Sequence, residues 1–102
     1  MNYPKNTDDK KNLLDALSQL DTQELKYLWL IWSKCQDDKG EYPNWPEEVR
    51  HQTAIIHNKS WEISHATLEY CFENGSYNVI HRKALKAAAV AYRFLLTSEK
   101  RS

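Results

Sequence analysis

From Asn44 to Leu95 the apolar residues return at helical spacing, and no stretch alternates in the way a half-buried strand requires. At 100° per residue, Ile55, Ile56, Ile63, Ala66 and Tyr70 gather on one side of a helix expected over about Glu47 to Glu73. Val49, Trp61, Leu68 and Phe72 form a second apolar strip on the same helix. Beyond Asn74-Gly75, residues Ile80, Ala84, Ala87, Val90, Ala91, Phe94 and Leu95 make the apolar side of another long helix. The punctuation agrees with two helices joined as a hairpin. Pro46 suits a first helical turn, with Glu47 and Glu48 at the positive end of the dipole. Asn74-Gly75 supplies a left-handed stop, and Ser76 can cap the next helix.

Upstream, Leu13, Leu14, Leu17 and Leu20 stripe a short amphipathic helix over Asp8 to Leu20. Asp21 and Glu24 have the spacing of a capping box for the next helix, about Thr22 to Gln36. That helix is apolar over much of its surface, through Leu25, Tyr27, Leu28, Trp29, Leu30, Ile31, Trp32 and Cys35. A helix apolar on more than one side is expected to be covered on more than one side, by the core or by another subunit. Asp37 to Trp45 reads as the one clear loop, marked by Gly40 and Pro43. The expected fold is all-α, a four-helix bundle with its two long C-terminal helices in a hairpin. Residues 1–7 read as a flexible lead-in, 8–98 as one domain and 99–102 as a tail.

Composition changes this picture in two places. The chain of 102 residues has no net formal charge, which argues against nucleic acid as its partner, but the charge is unevenly placed. Residues 41–75 carry Glu41, Glu47, Glu48, Glu62, Glu69 and Glu73 against Arg50 and Lys59, a net of −4. Residues 76–102 carry Arg82, Lys83, Lys86, Arg93, Lys100 and Arg101 against Glu99, a net of +5. The simplest expectation is that the two long helices complement each other within or between subunits. Cys35 and Cys71 lack metal-ligand spacing and read as free thiols of a reducing cytoplasm. No apolar run is long enough to span a bilayer, and no signal peptide is evident.

The candidate chemistry lies where lysines interrupt apolar stripes. Lys59 projects from the apolar side of the third helix, and Lys83 lies inside that of the fourth. A buried ammonium needs an anionic partner. Glu62 stands at i+3 from Lys59, within contact distance on a helix. Lys59, Glu62 and Lys83 are therefore expected to form a charged cluster. His51, His57, His65 and His81 do not complete a ligand set, and no metal is expected. Tyr42, Trp45, Trp61 and Tyr77 read as core or interface rather than as a base-stacking platform. Arg82, Lys86 and Arg93 form a short basic strip without a nucleic-acid recognition motif.

The stretch Trp45 to Leu95 resembles the MazG-like all-α nucleoside triphosphate pyrophosphohydrolases, especially the small members from phages and mobile elements. The likeness lies in the flanks WPEEVRHQTAII, ISHATLEYCFENGS and AAAVAYRFL. It covers about half the chain. The resemblance implies EExxE on one long helix and ExxD on the next, with the carboxylates holding magnesium. Here Asn58, Lys59 and Glu62 stand at the first motif, and Lys83 and Lys86 at the second. Glu62 is the one carboxylate retained. Magnesium wants hard oxygen ligands, and ammonium groups repel it. Hydrolysis that leans on the metal to activate water should then be lost. Trp61 stands between the motif positions, where the family favours a small residue, and would crowd the pocket.

Three readings follow. The preferred one is a non-catalytic protein, without cofactor, that acts by association with itself as a homodimer or dimer of dimers. The alternative is a metal-free binder of a nucleotide or other anion, with Lys59, Lys83 and Lys86 holding phosphate beside Trp61 and Glu62. The third is a triphosphate pyrophosphohydrolase with a variant site built on Glu62 and His65.

Overall fold

The computed structural model describes residues 7–99, which form four α-helices: α1 (Thr7–Leu17), α2 (Thr22–Glu41), α3 (Val49–Phe72) and α4 (Tyr77–Glu99). No strand occurs among the described residues. Of the expected lead-in over 1–7 and tail over 99–102, Thr7 and Glu99 belong to helices, and the remainder lies outside the described residues.

Local signals set two of the boundaries as expected. Asp21 Oδ1 accepts from the Glu24 N–H at 2.8 Å, and Glu24 Oε1 accepts from the Asp21 N–H at 3.3 Å, so the capping box is complete. At the head of α4, Ser76 Oγ accepts from the Asn78 N–H at 3.2 Å. The hairpin turn divides its work between two residues. Asn74 takes the left-handed conformation, with φ 59°, while Gly75 does not. The Glu69 carbonyl accepts from the N–H of Glu73 at 2.8 Å and of Gly75 at 2.9 Å. This draws Gly75 so close that a Cβ there would stand 3.0 Å from the Glu69 carbonyl carbon. Glycine is needed for proximity rather than for its dihedral freedom.

Three boundaries differ from the expectation. α1 ends at Leu17 rather than Leu20, and the N–H groups of Gln19 and Leu20 turn back onto the carbonyls of Ala16 and Leu17, each at 3.1 Å. α2 does not stop at Gln36 but continues through Asp37 to Glu41, with Gly40 inside it. A glycine there costs about 1 kcal/mol relative to alanine. Its last turn is closed by the Tyr42 N–H on the Asp38 carbonyl at 2.8 Å, and Tyr42 is in turn fastened to α4. α3 begins at Val49 rather than at about Glu47, and Pro46 lies outside its first turn. The Pro46 carbonyl is taken by the side chain of Gln52 at 2.6 Å, which keeps Pro46 in the connection rather than in the first turn.

Packing centres on α4, against which both α2 and α3 lie. α3 and α4 run antiparallel through their short turn, where the rings of Tyr70 and Tyr77 meet edge to face at 5.6 Å. α2 runs parallel to α4: Tyr27 meets His81 near their starts, and Tyr42 meets Arg93 near their ends. Among the described residues α1 has no comparable packing, so the bundle proper has three helices. Its core is small. Among the described residues the buried apolar ones are Cys35, Ala66, Ala89 and Val90. α2 is covered along Tyr27, Leu30, Ile31 and Cys35, while Leu25, Leu28, Trp29 and Trp32 stay exposed. Among the described residues, only one of its two apolar sides is therefore covered. The accessible surface is 8271 Å², against about 6,000 Å² for a compact chain of this mass. The radius of gyration is 16.2 Å, against about 13 Å for a compact domain of this length.

Candidate functional site

Lys59 sits between Ile55 and Ile63 on α3, one turn from each, and the packing of α3 on α4 leaves it half-buried. Its Nζ lies 3.6 Å from Glu62 Oε2, so the sequence-expected contact exists. The two side chains are 28% and 26% exposed, which keeps water in reach of both. Lys83 is placed elsewhere than Lys59. With Trp61, Glu62 and His65 it lines a shallow hollow of about 190 Å³ between α3 and the start of α4. Lys86, three residues on, lines a different and larger cavity of about 380 Å³, and Lys59 lines that one too. Lys59 and Lys86 thus share a cavity, Trp61, Glu62 and Lys83 share a hollow, and Glu62 links the two through its ion pair. Asn58 is exposed on α3.

In the smaller hollow, His65 Nδ1 lies 3.0 Å from Glu69 Oε1, and the imidazole stacks on Trp61 with centroids 5.1 Å apart. Glu69 thereby orients the ring of an exposed histidine. Nothing lining this hollow is a serine, threonine or cysteine nucleophile. His51 and His57 are exposed, and His81 packs on Tyr27. Among the described residues no group of three or more His, Cys, Asp or Glu side chains is placed to hold a metal ion.

The larger cavity is built by a residue that the sequence pattern put on a surface strip. Arg93 is only 8% exposed. Its Nη2 donates to the Tyr42 carbonyl at 3.0 Å, and its guanidinium stands 4.8 Å over the indole of Trp45. Gln52, 1% exposed, holds Pro46 from the α3 side. Two buried polar side chains, one from each long helix, thus fasten the connection over residues 42–48. Arg82 is exposed, Lys86 half-buried and Arg93 buried, so these three do not form one basic surface strip. The sequence did carry a signal for both fasteners. Gln52 stands four residues before Ile56 and Arg93 three after Val90, each on an apolar stripe.

The larger cavity collects Lys34, Lys59, Lys86 and Arg93, together with Asp38 and Glu41, beside the rings of Tyr42 and Trp45. Lys34 is loosely paired with Asp38 at 3.9 Å. Among the described residues Lys86 and Arg93 have no carboxylate partner, and the buried Nε1–H of Trp45 has no acceptor. Comparison with protein-family models, curated proteins and solved structures gave no match. What the site offers is therefore read from its geometry. Three ammonium groups and a guanidinium outnumber the two carboxylates, Asp38 and Glu41, around this cavity, so its net positive charge favours an anion.

Proposed function

We propose that this chain is a divergent MazG-like protein that works by associating with copies of itself, without triphosphate pyrophosphohydrolase activity. The observation that carries the association is the outward face of α2. Leu25, Leu28, Trp29 and Trp32 follow one another at i, i+3, i+4 and i+7, and each is at least 41% exposed. A second stripe, Trp61, Leu68 and Phe72, is exposed on α3. Counting about 150–250 Å² per buried aromatic, the exposed parts of Trp29, Trp32, Trp61 and Phe72 come to roughly 500 Å². The leucines add to this. A stable interface needs about 800 Å² per partner, so these stripes supply most of what a dimer requires. An apolar helical stripe is self-complementary about a two-fold axis, which suits association of like copies.

The absence of hydrolysis rests on Asn58, Lys59, Lys83 and Lys86 standing where the resemblance implies metal-binding carboxylates. Sedimentation velocity at micromolar concentration tests the first half: the native protein should sediment as a dimer or tetramer, and a Trp29→Glu/Trp32→Glu variant as a smaller species. A native protein that stays monomeric overturns it. Assays with nucleoside triphosphates and magnesium test the second half, and turnover abolished by a chelator would overturn it.

A further inference from the structure

The larger cavity holds more positive charge than association requires, and that charge is held in an unusual way. Arg93 carries five N–H donors and a permanent charge. It is nine-tenths buried, yet its partners among the described residues are one carbonyl oxygen and an indole face, neither of them an anion. Burying a cation without a counter-charge costs several kcal/mol, roughly, which a native fold offsets with an anion wherever it can. Lys86 lines the same cavity, half-buried and also without a carboxylate among the described residues. Lys59 and Lys34 complete the lining, tied to acids only at 3.6 and 3.9 Å, longer than a charge-assisted hydrogen bond. Trp45, in the same wall, keeps a buried N–H with no acceptor. Asp38 and Glu41 line the same cavity, two carboxylates against four positive groups, and Lys86, Arg93 and the Trp45 N–H are the groups left without an anion or acceptor among the described residues.

We propose that the cavity between α2, the 42–48 connection and α4 binds a small phosphate-bearing anion, received by Lys59, Lys86 and Arg93 beside the Trp45 indole. A volume of about 380 Å³ falls in the range of small-molecule sites and admits a phosphate with an organic group attached. The rings of Tyr42 and Trp45 give such a group an aromatic wall. Lys83 takes no part, because it lines the neighbouring hollow. The site does not depend on self-association, since all its residues come from one chain.

The test is a titration of the full chain at low salt with inorganic phosphate, pyrophosphate and a nucleoside monophosphate. It is followed by the indole N–H signals of the four tryptophans in ¹H–¹⁵N spectra. Binding should move the Trp45 signal saturably and leave those of Trp29, Trp32 and Trp61 in place. Lys86→Gln and Lys59→Gln should each weaken binding roughly tenfold or more, the worth of one charge-assisted hydrogen bond. Lys83→Gln should stay within about twofold, because its charge lies outside the cavity and is screened. Tighter binding of the nucleotide than of pyrophosphate identifies an organic phosphate, whereas equal binding identifies the free ion. No saturable shift with any of the three would overturn the proposal, as would a stationary Trp45 signal. Equal losses in Lys83→Gln and Lys86→Gln would reduce the effect to general charge attraction and overturn it as well. Thermal melts of each variant confirm that the fold is retained, and two independent cavity lysines keep the test decisive if one variant is unstable.

Discussion

Replacing Arg93 tests whether one buried guanidinium fastens the connection between α2 and α3. Three contributions set the magnitude. A hydrogen bond from a charged donor to the Tyr42 carbonyl, at 3.0 Å, is worth about 1.5–3 kcal/mol. A desolvated cation over the Trp45 ring adds about 1–2 kcal/mol. Against these stands the loss of hydration of a cation with no carboxylate partner among the described residues, which removal of the charge relieves. The balance predicts a loss of about 3 kcal/mol for Arg93→Ala, which also removes the buried stem, and about 2 kcal/mol for Arg93→Met, which keeps it. Urea denaturation is the measurement. With a slope of about 1–1.5 kcal/mol per molar, the Ala variant should unfold at a midpoint lower by roughly 2–3 M. Amide exchange over residues 42–48 should rise in both variants, because the fastening is local. Arg82→Ala, on the exposed side of α4, should change stability by less than about 0.5 kcal/mol. If Arg93→Met is as stable as the native protein or more so, the hydration loss outweighs the contacts and the fastening argument is refuted.

The ion pair of Lys59 and Glu62 should contribute little to stability. At 3.6 Å and with about a quarter of each side chain exposed, Glu62→Ala and Lys59→Met should each lose no more than about 1 kcal/mol in denaturant melts. A loss of about 3–5 kcal/mol for Glu62→Ala would instead mark a sealed pair and contradict this geometry. Gly75→Ala should destabilise by about 1–3 kcal/mol, because its Cβ would press on the backbone of Glu69 and Tyr70 rather than on a movable side chain. Asn74→Gly should be neutral or slightly stabilising, since it relieves a left-handed residue. A Gly75→Ala protein that melts with the native one would show that the turn yields freely.

Much of the secondary structure was legible along the chain because it depends on neighbours. The helical period of the apolar residues, the Asp21–Glu24 box, the Asn74-Gly75 turn and the Ser76 cap act over a few residues, and each lies where the pattern places it. The displacement of Lys59 from an otherwise apolar stripe was legible for the same reason, and so was its contact with Glu62. Tertiary packing decided the rest. Nothing local tells α2 which of its two apolar sides α4 will cover, so the exposure of Leu25, Leu28, Trp29 and Trp32 appears only once the helices are assembled. The continuation of α2 through Gly40 goes against local preference and is closed by Tyr42, whose position Arg93 fixes from 51 residues away. Lys83 and Lys86 are three apart on one helix, and the sequence suggested a shared site with Lys59. The way α4 lies between its neighbours divides them between two openings. Periodicity assigns a side chain to a face of its own helix, whereas the charge it meets there is set by what packs against that face.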